Sequence, residues 1–283
     1  MKFKTLVASI TLALTAPAFA AIAPGSSGNG ELFLAVQDAT NKVSFSFDLG
    51  VTMETYLSAV SSKNNPTLMP VTWAVAADAN WTAFLGQISK VSNLKWSVLA
   101  LDSTGANTPN LQRLVTTVFQ DPAKTEAQIL AGVKGTTNVK LTDGIGAAQG
   151  GNFFNAVNTT GTHGQTGVAL DFAVNGSSVN ALADAGRSYF GESGGLTGTL
   201  NGNATFGSQN ALNATSNVYY VTRSSASSGA FVLANRLDYA ANKPATFSFD
   251  GQSLVAVVPE PGTYALMLAG LAAVGFVARR RRG

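Results

Sequence analysis

Cysteine is missing from the 283-residue chain. With it go thiol nucleophiles, zinc–thiolate centres and iron–sulfur clusters. Histidine occurs once, as His163 within GTHGQTG, a glycine-bounded stretch that reads as a mobile loop. A single imidazole with no cluster of carboxylates beside it makes a poor metal site. Charged residues form only 12% of the chain, and the acidic ones are scattered without a D-x-D-x-D or G-G-x-G-x-D pattern. Built-in calcium loops are therefore not expected. Glycoside hydrolysis needs two carboxylates brought together in space, and spacing singles out no pair.

One string imitates a catalytic motif. Gly191-Glu192-Ser193-Gly194-Gly195 matches G-x-S-x-G, but in an α/β-hydrolase the histidine follows the serine, and His163 precedes Ser193. The order His163, Asp171 or Asp184, Ser193 would suit a chymotrypsin-like enzyme. About 30 residues, however, cannot hold the two barrels that separate those groups. Ser193 reads as part of a Gly-Ser turn. No catalytic residue, cofactor or metal ligand is assigned, and the chain is expected not to be an enzyme.

Both ends carry instructions. Lys2 and Lys4 make a positive start, Leu6 to Ala18 an apolar run, and Ala18-Phe19-Ala20 an A-x-A cleavage site, so residues 1–20 read as a signal peptide with Ala18 and Ala20 guiding the cut. At the other end the run Tyr264 to Ala278 carries no charge. Some 15 to 17 helical residues cover about 22–26 Å, short against a hydrocarbon core of about 30 Å. Arg279, Arg280, Arg281 and Arg282 decide the reading, because guanidinium groups stay on the cytoplasmic side and snorkel to the interface. A membrane helix is expected over about 262–278, with residues 21–258 outside the cytoplasm.

These ends also account for the alkaline balance. Of 18 basic and 15 acidic residues, Lys2, Lys4, the four terminal arginines and Glu260 lie in the targeting segments, which leaves 12 basic against 14 acidic in the exported body. A slightly acidic body gives no support to nucleic-acid binding. Without disulfides it must be held by buried apolar surface, which residues 21–258 are numerous enough to supply.

Pro259-Glu260-Pro261-Gly262-Thr263, a short span and an arginine cluster together resemble the PEP-CTERM sorting signal of exopolysaccharide-producing Gram-negative bacteria. The resemblance implies recognition by an exosortase-like membrane enzyme that reads Pro259, Glu260 and Pro261. It also implies transient anchoring in the inner membrane and delivery to the cell surface or extracellular matrix. A sortase signal would need Leu-Pro-x-Thr-Gly, and a GPI signal ends in its hydrophobic tail; neither fits. The stretch GELFLAVQDATNKVSFSFDLG resembles a module of other exported proteins with this tail, which identifies no activity.

Within the body, AIAPGSSGN (21–29) reads as a flexible entry loop. Glu31 to Gln37 and Lys42 to Leu49 read as strands joined by a turn at 38–41, and in the second Val43, Phe45, Phe47 and Leu49 alternate with Ser44, Ser46 and Asp48, the pattern of a half-buried strand. Trp81, Phe84, Leu85 and Ile88 make a helical stripe capped by Asp78. Leu94 to Leu101 reads as a buried strand. Thr108-Pro109 followed by Leu111, Leu114, Val115, Val118 and Phe119 predicts a second helix. Thr125 and Gln128 are placed for a capping box on a third, ending before Gly135.

From about Thr136 the composition turns to Gly, Asn, Ser and Thr, which suits twisted strands with tight turns. Ala230 to Leu237, Ala245 to Phe249 and Ser253 to Val258 are further strand candidates. Asn80, Asn158, Asn175, Asn203 and Asn213 each begin an N-x-[ST] triplet.

The expected architecture is mainly β: one β-sandwich-like domain over 21–258 with several short helices, flanked by a cleaved signal peptide (1–20) and a sorting signal (259–283) ending in a transmembrane helix. The expected function is that of a structural or adhesive surface protein in an exopolysaccharide or biofilm setting, with exopolysaccharide or other surface proteins as candidate partners. The alternative is a surface-tethered hydrolase acting on polysaccharide.

Overall fold

Leu32, Leu34 and Val36 belong to one buried cluster and the interleaved Phe33 and Ala35 to another. Because side chains alternate across a strand, that strand must have a core on each side. The computed structural model describes residues 21–61, 72–105, 107–150, 153–163, 176–181, 190, 199–200, 204–205, 210–240 and 242–257. Within them the protein is mainly β.

The strands are β1 (Glu31–Asp38), β2 (Val43–Thr52), β3 (Thr72–Trp73), β4 (Lys95–Asp102), β5 (Arg113–Thr117), β6 (Ser177–Ala181), β7 (Thr199–Leu200), β8 (Ala204–Thr205), β9 (Asn210–Ala211), β10 (Thr215–Thr222), β11 (Leu233–Arg236), β12 (Asp238–Ala240), β13 (Lys243–Pro244), β14 (Thr246–Phe249) and β15 (Leu254–Val257). The helices are α1 (Met53–Ser61), α2 (Ala79–Leu85), α3 (Glu126–Lys134), α4 (Asn138–Gly150) and α5 (Phe153–Asn158). One antiparallel sheet runs β3-β15-β14-β10-β5-β4-β1-β2-β6, with β11 also on β10 and β9 also on β4; β12–β13 and β7–β8 are separate ribbons.

The sheet curls back on itself. Phe249 on β14 and Trp96 on β4 are three strands apart in the order, about 14 Å in a flat sheet, yet their ring centroids are 6.3 Å apart. Trp81 of α2 fills the fold, 5.1 Å from Phe45 of β2 and 5.5 Å from Phe249. Truncating it to alanine removes a filler worth about 3–5 kcal/mol. On the opposite face, Ile129 and Val133 of α3, Leu141 and Ile145 of α4, and Phe153 of α5 pack over Phe33, Leu101 and Tyr219.

The strand predictions hold at β1, β2, β4, β11, β14 and β15 to within a few residues. Asp78 caps α2 by accepting from Asn80 N and Trp81 N at 2.7 and 3.2 Å. The Thr125/Gln128 capping box opens α3.

Four readings are corrected. Leu111 to Phe119 is not a helix: β5 occupies 113–117 between β4 and β10. A strand buried on both faces carries adjacent apolar residues such as Leu114 and Val115, and these imitate a helical stripe. For the same reason β2 is not half-buried, since Ser44, Ser46 and Asp48 are as buried as their apolar neighbours. Residues 138–150 and 153–158 form α4 and α5 where composition suggested strands. Asn138 sets that start, donating to Ser227 O at 2.8 Å and accepting from Ser224 N at 3.2 Å.

Nor is the entry segment loose. Ile22 is buried, its N–H donates to Asn158 Oδ1 (3.0 Å), and Asn158 Nδ2 donates back to its carbonyl (2.9 Å). A Cβ on Gly25 would lie 2.0 Å from Leu101 O, so only glycine lets the segment run this close to β4.

Candidate functional sites

β15 lies between β14 and β3, with Leu254 and Ala256 buried. Val257, two residues before Pro259 in the chain, is thus still paired into the sheet, with Thr246 of β14. Pro259, Glu260, Pro261, Arg279 to Arg282, the expected span 262–278, and Ala18 and Ala20 at the other end all lie outside the described residues. Among the described residues no helix is long and apolar enough to cross a membrane.

A pocket of about 510 Å³ opens between α1 and the β10–β11–β12 region. Glu54, Leu57 and Ser58 come from α1, Tyr220 from β10, Asn235 and Arg236 from β11, and Asp238 from β12. The sites were not legible in sequence, because three segments far apart in the chain supply them and none carries a motif. α1 exists because Met53, Tyr56 and Val60 bury one helical face. Leu57, Tyr220 and Leu237 pack against the main core and form the apolar part of the wall.

The charges in this wall are held by partners. Arg236 donates to both carboxylate oxygens of Asp238 (2.6 and 2.9 Å) and approaches Glu126 at 3.7 Å. Glu54 is bonded by Arg113, which also donates to Asp102 at 2.7 Å and to Gly28 O at 2.6 Å. Burial pulls the Arg113 guanidinium down, but its bonds to Asp102 and Glu54 outweigh that and raise it further above its ordinary value.

A second concentration of charge lies in the sheet. Asp48 of β2 is buried, and burial first, the nearby Glu31 charge second, push its carboxyl well above the usual range against the bond it accepts from Gly50 N at 2.8 Å. Glu31 is raised too, by burial, opposed by the bond from Ala23 N at 2.7 Å. The β1–β2 ladder shifts register here, pairing Leu32 with Val51 and Phe33 with Asp48. Leu49 and Gly50 are the extra residues, and Gly50 has φ 64°, so Asp48 tethers a bulge.

The other sequence candidates are not brought together. His163 is buried beside β6, and the preceding Thr162 N donates to Ser177 O at 2.8 Å; residues 164–167 of the expected loop lie outside the described residues. Ser193, Asp171 and Asp184 lie outside the described residues. No group of three or more potential metal ligands occurs among the described residues. Among the sequons, Asn80 Nδ2 donates to Ser177 Oγ (2.9 Å) and Asn158 Nδ2 to Ile22 O (2.9 Å). Glycosylation would replace one of the two hydrogens on each of these nitrogens, in competition with those bonds. Asn213 is exposed, at φ 65° in the turn before β10.

Residues 257–282 match the family model of the PEP-CTERM protein-sorting motif. The tail thus carries a PEP-CTERM sorting motif, which indicates exosortase-dependent sorting of a secreted, membrane-passing precursor to the cell surface. The motif implies processing by an exosortase-like enzyme. The match takes in the last residue of β15 and the tail, leaving the exported domain unassigned. No curated protein and no solved structure matches the chain.

Proposed function

We propose that the exported domain is a non-enzymatic structural or adhesive component of the cell surface, working in an exopolysaccharide matrix. In this reading the signal peptide is cut after Ala20, and residues 262–278 with Arg279 to Arg282 hold the precursor in the inner membrane until an exosortase-like enzyme reads Pro259-Glu260-Pro261. The observation that carries it is the join between β15 and the matched motif: Val257, the last residue of a strand paired into the sheet, is also the first residue of the match. The whole folded domain is then the cargo. Exopolysaccharide and other surface proteins are its candidate partners.

A second reading, a surface-tethered hydrolase acting on polysaccharide, draws on Glu54 and Asp238 sharing one pocket. Guanidinium-bound carboxylates are acceptors held in place by their partners, which favours binding over turnover. Release of reducing ends from matrix polysaccharide by the purified protein, abolished in Glu54→Gln, would establish the hydrolase instead.

The leading reading is tested in cells. Replacing Pro259-Glu260-Pro261 by three alanines leaves span and arginines intact, so an anchor alone would behave as wild type. The expected result is full-length protein trapped in the inner membrane, with the wild type outside it and shortened near Pro261. Cells holding the trapped form should also lose matrix cohesion. Identical fractionation of the two proteins overturns the sorting scheme, and unchanged cohesion overturns the adhesive role.

A further inference from the structure

The pocket between α1 and β10–β12 has a composition that selects among ligands. Its wall is divided between an apolar part, Leu57, Tyr220 and Leu237, and a polar part, Glu54, Asn235 and Asp238. Its volume of about 510 Å³ falls within the range of about 300–1,000 Å³ typical of small-molecule sites. An apolar ligand would strip water from two carboxylates and a guanidinium with nothing to replace it. A phosphate or other anion needs a free cation, and Arg236 already donates to both oxygens of Asp238. A metal ion needs converging ligands, and no group of three or more forms among the described residues.

What remains is a ligand with one apolar face and an edge of hydroxyls. A sugar ring has both. Its C–H face covers the Tyr220 ring and neighbouring leucines, while its hydroxyls donate to carboxylate oxygens that keep lone pairs beyond those used by arginine. Asn235 is exposed on β11, and its amide both donates and accepts, as a hydroxyl does. Because Arg113 and Arg236 fix the two carboxylates, the acceptors are positioned before a ligand arrives. Glu54 and Asp238 against Arg236 leave the wall one negative charge in excess, which repels uronates.

We propose that this pocket binds a short neutral glycan segment, with Tyr220 as the stacking surface and Asn235, Glu54 and Asp238 as hydroxyl partners. It deepens the adhesive reading above and rests on it for where the glycan comes from; binding itself is a property of the domain.

The test is titration of the full chain in detergent micelles with neutral gluco-, galacto- and manno-trisaccharides, and with a glucuronate-containing trisaccharide, followed by ligand-observed NMR. At least one neutral trisaccharide should bind with millimolar or better affinity, and the uronate more weakly. Tyr220→Ala and Asn235→Ala should each weaken binding by about tenfold, and Tyr220→Phe by less than about twofold. Should Tyr220→Ala unfold, Asn235→Ala at an exposed position carries the test. Absence of binding by every neutral trisaccharide at millimolar concentration, equal binding of the uronate, or wild-type binding by Asn235→Ala would overturn the proposal. Loss of binding with cell cohesion intact would strike the adhesive reading and leave the glycan site standing.

Discussion

The charge of Glu31 on β1 helps hold the buried Asp48 carboxyl on β2 well above the ordinary carboxylate range, across a bulge that Asp48 itself ties down through Gly50 N. Burial is the larger cause. An acid whose folded pKa is raised favours the folded state below its unfolded pKa, and that advantage is lost as pH rises through the folded value. Asp48→Asn removes the charge and keeps an oxygen for Gly50. It should be more stable than wild type near neutral pH, with the difference shrinking on acidification and vanishing below the usual carboxylate range. Urea melts across that range check it; a lower stability at neutral pH counts against the account.

Gly25→Ala should cost about 2 kcal/mol, because the new Cβ meets Leu101 O at 2.0 Å and Asp102 Cα at 2.8 Å, both backbone. Gly229→Ala is the control. Nothing lies within 4 Å of its Cβ, and it should be neutral or stabilising by up to about 1 kcal/mol. Equal melting temperatures for the two variants would refute the close approach.

Arg223 is fully buried, and its donors go to Ser225 O, Ala226 O, Gln112 Oε1, Thr142 Oγ1 and Asn107 Oδ1 at 2.8–3.2 Å. Lysine keeps the charge but not the planar fork. Arg223→Lys should destabilise by about 3 kcal/mol or more, since several acceptors lose a charged donor at once. A chemical-denaturation difference under about 1 kcal/mol would show that the acceptors are satisfied otherwise.

Mass spectrometry of the surface fraction should find a mature N-terminus at Ala21. Ile22, the second residue after the cut, is held to Asn158 by two hydrogen bonds, so the new terminus would lie against α5. A surface protein still beginning at Met1 would defeat this.

Ser193 should be inert toward a fluorophosphonate. Labelling of the native protein that disappears in Ser193→Ala would overturn the non-enzymatic reading.

What the sequence determines by itself is local or covalent. The sorting tail is legible because Pro259-Glu260-Pro261, an uncharged run and four arginines are contiguous. The Thr125/Gln128 box and the Asp78 cap are legible because partners three residues apart decide them. The apolar run of β1 and the alternation of β2 show as strands for the same reason. The tertiary structure decides what depends on a second face. β5 looks helical, and β2 half-exposed, until the sheet is seen to carry a core on each side. The helices α4 and α5 owe their place to packing over Phe33 and Leu101 rather than to composition. The pocket exists only because the curled sheet brings Tyr220, Asn235 and Asp238 beside Glu54, residues more than 160 positions away in the chain. Chain separation of that size leaves no periodic trace, since contact across it is set by topology and not by neighbours.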